Sequence, residues 1–106
     1  MRYIKTFESI TPQVGDYVKM RTDSKNISLI NYYHENIGQI IGTNLYHVTV
    51  SFKAQPPKET PYRLFFYNYK TEQYQKTFNI NKIVDFAKTE ENLINQIKYD
   101  TKKYNI

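Results

Sequence analysis

The stretch that most constrains this chain is YHVTVSFK, residues 46–53. Tyr46, Val48, Val50 and Phe52 alternate there with His47, Thr49, Ser51 and Lys53. Successive side chains of a strand point to opposite faces, so this alternation predicts a strand with one buried face and one polar face. Such a strand needs partners on both edges and a cover for its apolar side. A β-rich domain follows.

The rest of the chain offers the partners. GDYVKMR, residues 15–21, reads as a strand opening after a turn at Gly15-Asp16. NIGQIIGT, residues 36–43, reads as another, with Gly38 and Gly42 marking a bulge or a sharp bend. QPPKETP, residues 55–61, is a loop, because proline lacks the donor that a central strand uses. YRLFFYNY, residues 62–69, resumes a strand, KTEQYQ reads as a polar turn, and TFNINKIVDF, residues 77–86, supplies the last strand. Residues 22–35 are polar with Ile27, Leu29 and Ile30 among them, and read as a long connection able to reach a partner.

The two ends differ from the middle. Tyr3, Phe7 and Ile10 share one face of a short helix, and the same residues 1–10 also suit an edge strand. Near the C-terminus Thr89 is placed to cap a helix, with Glu90 and Glu91 at the positive end of its dipole and Lys98, Lys102 and Lys103 towards the negative end. Leu93, Ile94 and Ile97 form its apolar stripe, continued by Tyr104, which predicts a helix over about 90–103.

A chain of 106 residues has room for one domain with one core. The absence of Cys excludes disulfide scaffolds, Cys-bound zinc and thiol nucleophiles, and fits a reducing cytoplasm. His34 and His47 are the only histidines, too few for a multi-His metal site. No apolar run approaches the roughly 20 residues that span a bilayer, and MRYIKTFESI lacks the apolar core of a signal peptide.

Catalysis needs a reactive group, an activating partner and a pocket. Ser9, Ser24, Ser28 and Ser51 have no glycine elbow, His47 faces outward next to Thr49 rather than an acid, and His34 lies in the polar loop Tyr32-Tyr33-His34-Glu35. Glu90 and Glu91 are adjacent helix residues, which do not face each other. No phosphate-cradling glycine loop is present. The expectation is a non-enzymatic protein without metal or cofactor.

The segments Val14-Gly15-Asp16-Tyr17-Val18, Ile37-Gly38-Gln39-Ile40-Ile41 and Val48-Thr49-Val50 resemble an SH3-like barrel of the KOW or Tudor type. The resemblance covers about residues 13–86. It implies a small antiparallel barrel of about five strands, here with a short N-terminal element and a C-terminal helix over 89–103, all in a single domain 1–106. The opening MRYIKTFES, with the AT-rich codon usage behind the composition, also resembles small proteins of tailed phages.

Charge is an ambiguous guide. The net charge is +5, but Lys, Ile, Tyr and Asn together make 45 of the 106 residues, and all four have AT-rich codons. Codon bias therefore accounts for many lysines without an anionic partner. Residues 53–82 nonetheless carry six basic side chains against Glu59 and Glu72. If strands 46–53 and 62–69 pair around the proline loop, Phe52 meets Leu64 and Val50 meets Phe66. The outer face then presents His47, Thr49, Ser51 and Lys53 beside Arg63, Phe65, Tyr67 and Tyr69.

Basic groups among exposed rings suit two partners. They hold a protein, because Tyr and Arg dominate interface hot spots. They also hold single-stranded nucleic acid, by stacking and phosphate contact. The candidate binding residues are thus His47, Lys53, Arg63, Phe65, Tyr67 and Tyr69. The competing expectation is that Phe65, Tyr67 and Tyr69 are covered by the C-terminal helix or by residues 1–10. The favoured function is a small binding module, a phage accessory protein docking on a host or virion protein. The alternative is a nucleic-acid-binding module. An uncovered edge strand, 15–21 or 62–69, would let a second copy pair.

Overall fold

A computed structural model describes residues 11–58 and 64–104. The short helix or edge strand expected over residues 1–10 lies outside the described residues. In chain order the elements are β1 (Tyr17–Met20), α1 (Ile27–Glu35), β2 (Gly38–Thr43), β3 (His47–Phe52), β4 (Phe66–Asn68) and β5 (Gln73–Asn79). A 3-10 turn (Ile80–Lys82) then leads into β6 (Ile83–Ala87), and α2 (Glu90–Tyr104) is the last described element. All strand pairs are antiparallel, and the sheet order is β4-β5-β3-β2-β1-β6.

The expected alternation governs the central strand. Val48, Val50 and Phe52 are fully buried. Tyr46 is exposed instead, because it sits in the turn before β3, where Asn44 Oδ1 accepts from the N–H groups of Tyr46 at 2.9 Å and His47 at 2.8 Å. The Gly15-Asp16 turn works as the sequence suggests. Gly15 takes φ +99°, a conformation costly for other residues. Its N–H donates to the Ile40 carbonyl at 2.8 Å, and the Ile40 N–H donates back to the Asp16 carbonyl at 2.9 Å. The buried Asp16 carboxylate accepts from the Gln13 N–H at 2.9 Å and pairs with Lys88 at 3.0 Å.

The barrel expectation needs correction. The six strands make one open sheet, whose edge strands β4 and β6 are not bonded to each other. The extra strand comes from KTEQYQ. Its polarity suggests a turn, but only residues 69–72 turn, with Glu72 at φ 56° and its N–H donating to the Asn68 carbonyl at 2.7 Å. From Gln73 onward the chain is extended against β3, with Tyr74 opposite Phe52, Lys76 opposite Val50 and Phe78 opposite Val48. The stretch 77–86 is therefore not one strand: it ends β5, makes the 3-10 turn and begins β6. β1 lies between β2 and β6, so 15–21 is not an edge.

Residues 22–35 are not a plain connection either. Asn26 caps α1, its side chain accepting from the Leu29 N–H at 3.2 Å. Leu29, Tyr32 and Tyr33 then fall on one helical face and are buried. That face covers the apolar side of the sheet. Tyr32, Tyr33, Phe52, Phe65 and Phe78 meet there with ring centroids 5.5–6.3 Å apart, in tilted or edge-on pairs. Helix α2 forms as its sequence predicts. Thr89 Oγ1 accepts from the Asn92 N–H at 3.1 Å, Leu93 is fully buried, and Gln96 Nε2 donates to Asp85 Oδ1 at 2.9 Å. The helix docks on β6 and β1, far along the sheet order from β4.

Candidate functional site

The predicted binding face required β3 to pair with residues 62–69. It does not: β5 lies between β3 and β4. The pairs Phe52–Leu64 and Val50–Phe66 do not form, and the parity assigned to the aromatic segment inverts. Phe65 turns inward before β4 begins and packs 5.7 Å from Tyr32 and 6.2 Å from Phe52, centroid to centroid. Phe66, expected in the core, is 67% exposed. Tyr67 stands opposite Tyr74, which itself stands opposite Phe52, so Tyr67 is on the core side of the sheet, at its rim.

The other predicted residues scatter. His47 is exposed at the start of β3, opposite Asn79. Lys53 is exposed just past the opposite end of β3, where it lines a cleft of about 630 Å³ with Lys19, Glu35, Ile37 and Ile94. Arg63 lies outside the described residues. Ser51, grouped with the outer face, is buried and donates its hydroxyl to Gln73 Oε1.

Of the six candidates, the structure brings together Tyr67 and Tyr69. Their ring centroids are 4.8 Å apart and nearly perpendicular, and Tyr74 closes a trio, 4.8 Å from Tyr67. Tyr69 is 84% exposed. The helix α2 does not cover this trio, since it docks at the far end of the sheet. Sequence reasoning missed Tyr74 because it assigned KTEQYQ to a turn. The alternation of Tyr74, Lys76 and Phe78 with Gln73, Gln75 and Thr77 was the available signal.

The turn beside the trio carries charges of both signs, Lys70 and Glu72. Partial desolvation first, then the Glu72 carboxylate and the neighbouring tyrosines, raise the pKa of Tyr67. Several cations are engaged elsewhere. Arg21 and Lys82 share Asp23, Lys88 pairs with Asp16, and Lys19 donates to the His34 carbonyl. Lys76 stands over the Phe78 ring, 4.6 Å from its centroid.

Among the described residues no group of three or more His, Asp or Glu side chains is arranged to hold a metal ion. No helix among them is long and apolar enough to cross a membrane. Comparison with protein-family models, curated proteins and solved structures finds no match to this chain.

Proposed function

We propose that this chain is a non-enzymatic binding module that docks on a protein through the tyrosine rim of β4 and β5. The observation that carries this reading is the trio of Tyr67 on the three-residue edge strand β4, Tyr69 in the turn that follows it and Tyr74 on β5, with Phe66 exposed on the other side. β4 pairs only with β5 among the described residues, so its second edge offers backbone donors and acceptors to an incoming strand. Rigid aromatic rings give large contact area at low entropic cost, and main-chain pairing gives register. Tyr67 is already held by its two neighbours, which lowers the ordering cost of binding.

The SH3-like reading belongs to the same proposal. Its three motif segments fall on β1, β2 and β3, which are consecutive neighbours in the sheet, and the Gly15-Asp16 turn is tied to β2. The phage-like opening sets the expected partner as a host or virion protein. The nucleic-acid alternative is weakened by the Glu72 carboxylate, whose charge is felt at Tyr67, and by the seating of Lys53 in the cleft with Lys19 and Ile94.

The test is capture of partners by the wild-type chain and by the Tyr67→Ala/Tyr69→Ala variant from the same lysate, with and without nuclease. A protein retained by the wild type and lost by the variant, unaffected by nuclease, supports the reading. Retention that nuclease abolishes overturns it in favour of nucleic acid.

A further inference from the structure

A second feature stands apart from the tyrosine rim and shares no residue with it. A cavity of about 240 Å³ opens where the chain leaving β1 meets the last residues of β5. Its walls include Arg21, Lys76 and Lys82, with Asp23, Tyr33 and Phe78. Asp23 is the single carboxylate among the described lining residues. It is shared by Arg21, at 3.6 Å, and Lys82. The Lys82 hydrogen bond, then its charge, hold the Asp23 carboxyl below its ordinary range. One carboxylate against three cations leaves two positive charges in excess.

Lys76 carries the argument. It is half-buried, and its ammonium faces the Phe78 ring with no carboxylate beside it among the described residues. Burial lowers its pKa, and no acidic neighbour among the described residues opposes that shift. A desolvated ammonium without a counter-ion is unfavourable. The second, independent observation is Tyr33. Its side chain is 1% exposed, and its hydroxyl has no hydrogen-bond partner among the described residues. Buried hydroxyls are nearly always bonded, so an orphan on a residue that lines a basic cavity calls for an acceptor that the described residues do not supply.

We propose that this cavity binds a dianionic phosphate group, either inorganic phosphate or a small phosphomonoester. A phosphate ester carries about −1.5 to −2 charges at neutral pH, which matches the two uncompensated cations. Its oxygens accept only, as an ammonium and a phenol hydroxyl require. The volume admits a phosphate with a few further atoms and is too small for a polynucleotide.

The test is titration of the full chain with inorganic phosphate and, separately, with glycerol phosphate, followed by calorimetry at constant ionic strength set with chloride. Saturable one-to-one binding is expected. Lys76→Met keeps the alkyl stem over Phe78 and removes the charge, and binding should weaken by about tenfold or more. Tyr33→Phe removes only the hydroxyl and should weaken binding by about threefold or more. Lys58→Met, on an exposed loop, should bind as the wild type. Tighter binding of glycerol phosphate assigns the site to a monoester, and tighter binding of inorganic phosphate assigns it to the free ion. Absence of saturable binding by the folded wild type overturns the proposal. So does wild-type affinity in both the Lys76→Met and Tyr33→Phe variants, with circular dichroism confirming that each is folded.

Discussion

The Tyr32 hydroxyl donates to the Ala54 carbonyl at 2.7 Å, pinning α1 to the chain just beyond β3. The next residue, Tyr33, is buried on the same helical face, yet its hydroxyl has no partner among the described residues. The two phenols therefore predict opposite responses to the same substitution. Tyr32→Phe leaves the part-buried Ala54 carbonyl without its donor and should cost about 1–3 kcal/mol. Tyr33→Phe removes an unsatisfied group and, in phosphate-free buffer, should leave stability unchanged or slightly raised. Urea unfolding midpoints of the two variants check the contrast, and equal losses would contradict it.

Gly38 marks where β2 passes under the aromatic core. A Cβ there would lie 2.3 Å from Val50 Cγ1 and 2.9 Å from Phe52 Cε1. Both neighbours are fully buried and have little room to move. Gly38→Ala should destabilise by about 1–3 kcal/mol or more, through overpacking. Gly42→Ala, whose added Cβ would meet only Thr49 at 3.8 Å, should be far milder. Thermal melts of the pair test this, and equal melting temperatures would count against the packing described.

Alkaline pH should unfold the chain through α1. Burial raises the pKa of Tyr33, and burial with the neighbouring Tyr33 and Tyr74 raises that of Tyr32, above the ordinary 10.0. Above pH 10 the unfolded chain releases these protons while the folded chain keeps them, so stability falls as pH rises. Lys76 and Lys19 act in the other direction. Burial lowers both from 10.5, so just below that pH the unfolded chain binds more protons, and their contribution to stability grows with pH. The tyrosines govern the range beyond it. The expected result is a stability loss that steepens above pH 10, with a shallower slope in Tyr32→Phe. Urea midpoints across pH, alongside tyrosinate absorbance, measure it. A flat profile to high pH would mean that these phenols are not buried in solution.

The helix α2 is capped by the Thr89 hydroxyl, which accepts from the Asn92 N–H at 3.1 Å. Thr89→Ala should cost about 1 kcal/mol. Thr89→Ser keeps the acceptor and should retain most of the stability. Amide exchange in α2 reads the effect locally, and equal protection in both variants would exclude the capping role.

How much was legible in the sequence depends on where the polar residues fall. Val48, Val50 and Phe52 announce β3 because polar residues separate them one by one, and Thr89 with Leu93 announces α2 by cap and stripe. α1 was hidden, because Leu29, Tyr32 and Tyr33 are its only buried residues and the rest of the segment is polar. β5 was hidden for a related reason. Its outer face is Gln and Thr, and the core-side Lys76 sits over an aromatic ring where an aliphatic residue is expected. Missing β5 moved the whole candidate site. Without it, residues 62–69 were paired with β3, Phe65 and Phe66 exchanged faces, and Tyr74 never entered the site. Tyr67 changed to the core side of the sheet with Phe65, and it stands beside Tyr69 because β4 is short and turns directly after Asn68.

The most direct measurement for the tyrosine rim is the salt dependence of partner retention by the wild-type chain and by Tyr67→Ala/Tyr69→Ala. A protein contact built on aromatic anchors should persist through moderate salt, ignore nuclease, and weaken by about tenfold or more in the variant. Retention that falls steeply with salt, vanishes with nuclease and is the same in both chains would contradict the account and identify a nucleic-acid binder.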